Sequence, residues 1–312
     1  WILETPNRPS SHGRNQFVLD FSNPEVVIYV YNMMTEVIDK ANISYIKWDM
    51  NRCMTEVYSS CHDSESQGRV MHEYILGVYQ LYELLTSRFP EILFESCASG
   101  GARFDPGMMY YAPQCWTSDD TDALERLKIQ YGTSMVYPVS SLGAHVSAAP
   151  NHQLLRNTPI ETRANVAYFG TFGYELDLNK LSMDEQIKVK EQITFMKDYR
   201  EIIQFGTFYR LKSPFEGNET VWMVVSQDQN TAIIGYYRTL QEVNVGYRRV
   251  KLLGLDPDKE YHVNLNNTVH YGDELMNLGL ITTDSSCGEN KEKYDGTNGD
   301  YLSRIYVLKA KI

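Results

Sequence analysis

The chain of 312 residues has no basic cluster, no long apolar stretch and few cysteines, and each shortage excludes something. Its 40 acidic residues against 29 basic ones leave a net charge of -11, and a nucleic-acid or anionic-membrane partner would need the clustered Lys and Arg that are absent. No apolar run reaches the roughly 20 residues of a membrane span. The opening Trp1-Ile2-Leu3-Glu4-Thr5-Pro6 has neither the basic start nor the small-residue cleavage site of a secretory signal, and it reads as though cut from the middle of a longer chain. The five cysteines (Cys53, Cys61, Cys97, Cys115 and Cys287) are an odd number without a Cys-x-x-Cys pair, which points to reduced thiols and a cytoplasmic location. Cys53 and Cys61 are near enough to close a small loop, but spacing alone is a weak argument for a disulfide. His145 and His152 stand seven apart with no Cys or acidic cluster beside them, so no metal site is expected. Repeats, coiled-coil heptads and low-complexity segments are also missing.

What is present is ample apolar content, 43% with 12% aromatic, enough for the cores of two domains. Up to about residue 205, strand-like runs alternate with helical patterns, as in βαβ units. Strands are expected at Gln16 to Asp20, Tyr45 to Asp49, Ile92 to Glu95, Pro113 to Ser118, Ser134 to Val139 and Val166 to Phe169. Helices are expected over Pro24 to Lys40, His72 to Arg88, Leu124 to Tyr131 and Asp184 to Arg200. No glycine-rich phosphate loop follows the first strand, which disfavours a doubly wound nucleotide-binding sheet. The expected fold is an α/β (β/α)8 TIM barrel lacking its first strands over residues 1–205, roughly strands 3 to 8. Residues 206–312 read differently, as short alternating runs between turn signals such as Asp228-Gln229-Asn230 and Asp256-Pro257-Asp258. They predict an all-β antiparallel C-terminal sandwich with a long loop over Asp284 to Asp300.

Two stretches carry the chemistry. In Tyr45-Ile46-Lys47-Trp48-Asp49-Met50-Asn51-Arg52, strand alternation turns Lys47, Asp49 and Asn51 to one face and Trp48 and Met50 to the other. An ammonium beside a carboxylate favours the ionised form that a nucleophile requires, although an ion pair closing a polar rim would look the same. In Trp116-Thr117-Ser118-Asp119-Asp120-Thr121-Asp122, crowded acids suit a general acid. Helix capping, with Asp122 and Glu125 spaced as a capping box, accounts for Asp122 but not for Asp119. Between these stretches, Glu95-Ser96-Cys97-Ala98-Ser99-Gly100-Gly101 places small residues after a strand, where a ligand can approach the backbone closely. Arg14, a lone cation in a polar segment, says nothing by spacing alone.

With Arg103-Phe104-Asp105-Pro106-Gly107, Gln130-Tyr131-Gly132-Thr133-Ser134 and Gly143-Ala144-His145-Val146-Ser147 in the same order, the chain resembles the large bacterial α-galactosidases (melibiases). Raffinose and stachyose synthases are their plant relatives. The resemblance implies a retaining glycoside hydrolase acting on terminal α-galactose of melibiose and raffinose-type oligosaccharides, with Asp49 as nucleophile and Asp119 as acid/base. It implies Arg14, Lys47, Trp48, Asn51, Cys97 and Gly100 as galactose-binding residues, no cofactor or metal, and a homo-oligomer. It further implies that a missing N-terminal region completes the barrel. A galactosyltransferase, an α-N-acetylgalactosaminidase and a non-catalytic sugar-binding fragment are the alternative readings.

Overall fold

The computed structural model describes residues 1–243, 248–265, 267–282 and 299–311. Residues 284–298 of the expected long loop lie outside these. The chain divides into two compact units, Trp1–Asp119 and Asp120–Ile312.

The first unit is built on a parallel sheet of β1 (Tyr45–Asp49), β2 (Leu93–Cys97) and β3 (Gln114–Cys115) in sequence order. Helix α1 (Pro24–Lys40) starts where a proline follows a capping residue. The Asn23 side chain accepts from the Glu25 amide at 2.9 Å, and Pro24 loses no helical hydrogen bond at the first position. Helix α2 (Val70–Arg88) presents Tyr74, Val78, Leu81, Tyr82 and Leu85 at helical spacing, all buried in a core shared with Val27, Ile38 and Phe94. A short helix α3 (Pro106–Tyr111), capped by Asp105 through the amides of Gly107 and Met108, connects β2 to β3 and was not expected.

The strand expected at Gln16 to Asp20 is absent. The segment makes only isolated antiparallel bridges, Gly13 with Gln16 and Ile2 with Leu19. Arg14 and Asn15 both adopt left-handed backbone (φ 53° and 59°), which turns the chain back too tightly for a ladder to extend.

The second unit opens with α4 (Ala123–Thr133), β4 (Gly143–Ser147), α5 (Ile160–Ala167), β5 (Thr171–Glu175) and α6 (Met183–Phe205), with β4 and β5 parallel. Two expected strands are displaced. Ser134 to Val139 is a turn after α4, where Pro138 has no amide to give a ladder, and the strand begins at Gly143. Val166 and Ala167 end α5 instead of starting a strand. Ile160, Ala164 and Ala167 repeat at helical spacing, and a short apolar run does not declare its period.

From Thr207 the chain is antiparallel: β6 (Thr207–Lys212), β7 (Glu219–Val225), β8 (Thr231–Arg238), β10 (Glu260–Val263), β11 (Thr268–Tyr271) and β13 (Leu302–Ala310) form one sheet in the order β11-β10-β13-β8-β7-β6. Strands β9 (Arg249–Val250) and β12 (Leu280–Ile281) pair separately, with α7 (Gly272–Asn277) before β12. Alternation along β7 and β8 explains how this sheet is held. Val221, Met223, Val225, Ile234 and Tyr236 pack on a core with Val250, Leu252, Leu275 and Leu280. Their neighbours Trp222, Val224, Ile233 and Tyr237 pack on the other face against Ala164, Phe169, Met196 and Ile203. Both faces are covered, so these strands are apolar nearly throughout. One core therefore runs across the change of texture at 205–206.

Candidate active site

Side-chain alternation in β1 sets the site out. Tyr45, Lys47 and Asp49 share one face. Trp48 takes the other, with its ring 4.6 Å from that of Tyr82 on α2, and Met50 lies on the same core. Trp48 is thus turned from Asp49 and packs against α2.

The parallel register sets Lys47 opposite Glu95 and Asp49 opposite Cys97, with Glu95 opposite Gln114 on β3. Glu95 is only 1% exposed. Its carboxylate accepts from the Tyr45 hydroxyl and from Gln114 Nε2 (2.9 Å), and Lys47 Nζ stands 3.7 Å from its Oε1. The Lys47 ammonium also lies 4.6 Å from the centre of the Trp116 ring.

Asp49, at the end of β1, is exposed and accepts a hydrogen bond from Asn51 Nδ2, with Cys97 opposite it on β2. Burial pushes the Cys97 thiol up to about 12, with the Asp49 carboxylate adding to the effect, so the thiol stays neutral. Asn51 is oriented in turn by Ser99, whose hydroxyl donates to Asn51 Oδ1 at 3.2 Å.

The turn after β2 runs through Ser99 (φ 51°) and Gly100 (φ 81°), both left-handed. Gly100 lies so close to the segment after β3 that a β-carbon there would stand 2.7 Å from Ser118 Cα and 3.0 Å from the Asp119 nitrogen. Asp119 is held by Trp116, whose Nε1 donates to its Oδ1 at 3.1 Å. Trp116 therefore joins the two carboxylate stretches: its ring meets Lys47 from the Asp49 strand, and its N–H fixes Asp119.

Arg14 is exposed, in the tight turn described above, and no contact joins its side chain to Asp49. Its segment is tied to this strand end by Arg52, three residues past Asp49. Arg52 is buried, donates to the carbonyls of Ser11 (2.7 Å) and Gln16 (3.2 Å), and packs on Gly13. Sequence reasoning assigned no role to Glu95, Tyr45, Gln114, Trp116 or Arg52. The one available signal was Glu95 itself, an acid ending the apolar run Ile92-Leu93-Phe94.

In the second unit, Asp122 caps α4 through the amides of Leu124 and Glu125 and pairs with Arg156, as its capping reading requires. His145 pairs with Glu175 at 3.1 Å. Among the described residues no cluster of His, Cys, Asp and Glu is placed to hold a metal ion, and no helix is long and apolar enough to cross a membrane. Cys53 and Cys61 are both free, so the small loop between them carries no disulfide.

A model of the melibiase family matches residues 1–206. The chain belongs to that family. The C-terminal domain of glycosyl hydrolase family 36 matches residues 219–308. Among curated relatives, the α-galactosidase AgaA of Geobacillus stearothermophilus is 51% identical over 99% of this chain and 41% of its own length. The α-galactosidase Mel36A of Lactobacillus acidophilus is 43% identical with the same coverages. The crystal structure of AgaA superposes with a TM-score of 0.93 at 50% identity, covering 100% of this chain and 42% of AgaA. AgaA variants have also been solved with raffinose and with stachyose. The chain thus spans about two fifths of these relatives, and its parallel β/α portion followed by an antiparallel β-domain bears out the expected fold class.

Proposed function

We propose that this chain carries the catalytic carboxylates of a retaining α-galactosidase that releases terminal α-linked galactose from melibiose and raffinose-type oligosaccharides. The observation that carries the reading is Trp116, which meets Lys47 beside Asp49 and holds Asp119 by its indole N–H. Asp49 ends β1 and Asp119 follows β3 by four residues, on either side of the turn after β2. Side chains reaching inward from such positions suit the roughly 5–5.5 Å carboxyl separation of a retaining enzyme. The relatives lend support: the aspartates replaced in the raffinose and stachyose complexes of AgaA are 70 positions apart, as are Asp49 and Asp119 (119 minus 49).

Asp49 attacks the anomeric carbon while Asp119 protonates the departing glycosidic oxygen, and a galactosyl ester forms on Asp49. Asp119 next takes a proton from the water that releases galactose. Asn51 orients the Asp49 carboxylate, beside the neutral Cys97 thiol. Lys47, Asn51, Cys97, Gly100 and Arg14 line the sugar site, with Arg14 delivered by the Arg52-anchored turn. The catalytic domain is taken as 1–205 and the β-domain as 206–312, the protein being a cytoplasmic homo-oligomer. Its free exposed thiols, Cys53 and Cys61, support a reducing compartment.

The test uses the full-length protein. Asp49→Asn should cut turnover of an aryl α-galactoside by about 10⁴-fold or more. A 2-fluoro galactoside should leave a covalent adduct on Asp49. An adduct on another residue, or substantial activity in the variant, rejects the assignment.

A further inference from the structure

We propose that Glu95 is a positioning residue: its buried carboxylate sets the Lys47 ammonium in place beside Asp49, and Tyr45 and Gln114 act through it. This rests on reading the Asp49 face as the galactoside site. A carboxylate at 1% exposure is costly to keep unless it is compensated, and here three side chains from two neighbouring strands converge on it. Tyr45 and Gln114 share a hydrogen bond of 3.0 Å, so they form one clamp on Oε2 and leave the Oε1 side facing Lys47.

Lysine is a long, flexible side chain that does not hold a position unaided. Lys47 is restrained on two sides, by the Glu95 carboxylate and by the face of Trp116, while its side chain stays about a third exposed towards the site. The same Trp116 fixes Asp119. A displaced Lys47 would therefore be felt at both carboxylates, although Glu95 itself touches neither of them through any contact described above. This preorganisation is what a substrate-facing cation requires of its supporting residues.

A purely structural role for Glu95, tying three strands together, makes a different prediction, and a double-mutant cycle separates the two. Glu95→Gln, Lys47→Met and the double variant are compared in the full-length enzyme by kcat and KM on an aryl α-galactoside, with thermal unfolding alongside. Glu95→Gln is expected to lower kcat/KM roughly ten- to a hundredfold, but less than about threefold once Lys47 is already methionine, the coupling expected of residues in contact. Equal losses in both backgrounds overturn the proposal. Should Glu95→Gln fail to fold, Tyr45→Phe loosens the clamp while keeping the charge. Its smaller loss must likewise vanish in the Lys47→Met background, and persistence of the loss there overturns the proposal too. An inactive parent enzyme would reject the galactosidase reading and this role with it, whereas an active parent with an additive cycle rejects only the role of Glu95.

Discussion

Replacing Gly100 with alanine probes how closely the turn after β2 sets Asp119, the acid/base proposed above. The new β-carbon would stand 2.7 Å from Ser118 Cα and 3.0 Å from the Asp119 nitrogen. Carbon atoms in ordinary contact are about 3.5–4.0 Å apart, so one backbone or the other must give way by about 1 Å. Both contacts are backbone, and no flexible side chain can absorb the shift. The φ of 81° adds roughly 1–2 kcal/mol of strain for a residue with a β-carbon, and overpacking a further 1–3 kcal/mol or so. The expected loss of stability is about 2–5 kcal/mol, read by urea unfolding.

Catalysis should suffer as well, because a 1 Å misplacement of a reacting group costs on the order of 10²-fold. The acid matters most when the leaving group is poor. The kcat of Gly100→Ala on melibiose should therefore fall about a hundredfold, and less on an activated aryl galactoside that needs little protonation. Wild-type kcat on both substrates would show that the turn does not set Asp119, and an equal loss on both would show that the damage lies elsewhere.

Trp116→Phe keeps a ring under Lys47 but deletes the donor to Asp119, and a hydrogen bond is worth about 0.5–1.5 kcal/mol net; kcat on melibiose should fall about two- to tenfold, and an unchanged kcat would remove Trp116 from the site. Cys97, pushed up to about 12 from an ordinary 9.0 chiefly by burial, carries about a thousandfold less thiolate at pH 8 than an ordinary cysteine. Iodoacetamide at pH 8 should label exposed Cys53 and Cys61 first by mass spectrometry, and labelling of Cys97 should rise about tenfold per pH unit towards 12; equal labelling of all three at pH 8 would contradict this environment.

Much of the site was legible before the fold. The period of two in Tyr45 to Asp49 sends Lys47 and Asp49 to one face whatever the strand packs against, and it also sends Trp48 away. Motif membership groups Trp48 with the sugar-binding residues, whereas alternation turns it to the core. Capping by Asp122 was readable for the same local reason, since the side chain satisfies amides two and three residues on. The strands misplaced at Ser134 to Val139 and Val166 to Phe169 were short apolar runs, in which helix and strand periods coincide.

By itself the sequence determined what is local: the alternating face of β1, the helix starts, the change from parallel to antiparallel texture near 205, and the motif order that marks the family. Only the tertiary structure decided which distant groups meet. The Tyr45 hydroxyl reaches Glu95 across 50 positions and Gln114 reaches Tyr45 across 69, and both contacts follow from the strand register. No periodicity in one segment encodes the register of another, because pairing is settled by burial across the whole sheet. For that reason Glu95, Trp116 and Arg52, which hold the site residues in place, had no legible role until the strands were set side by side.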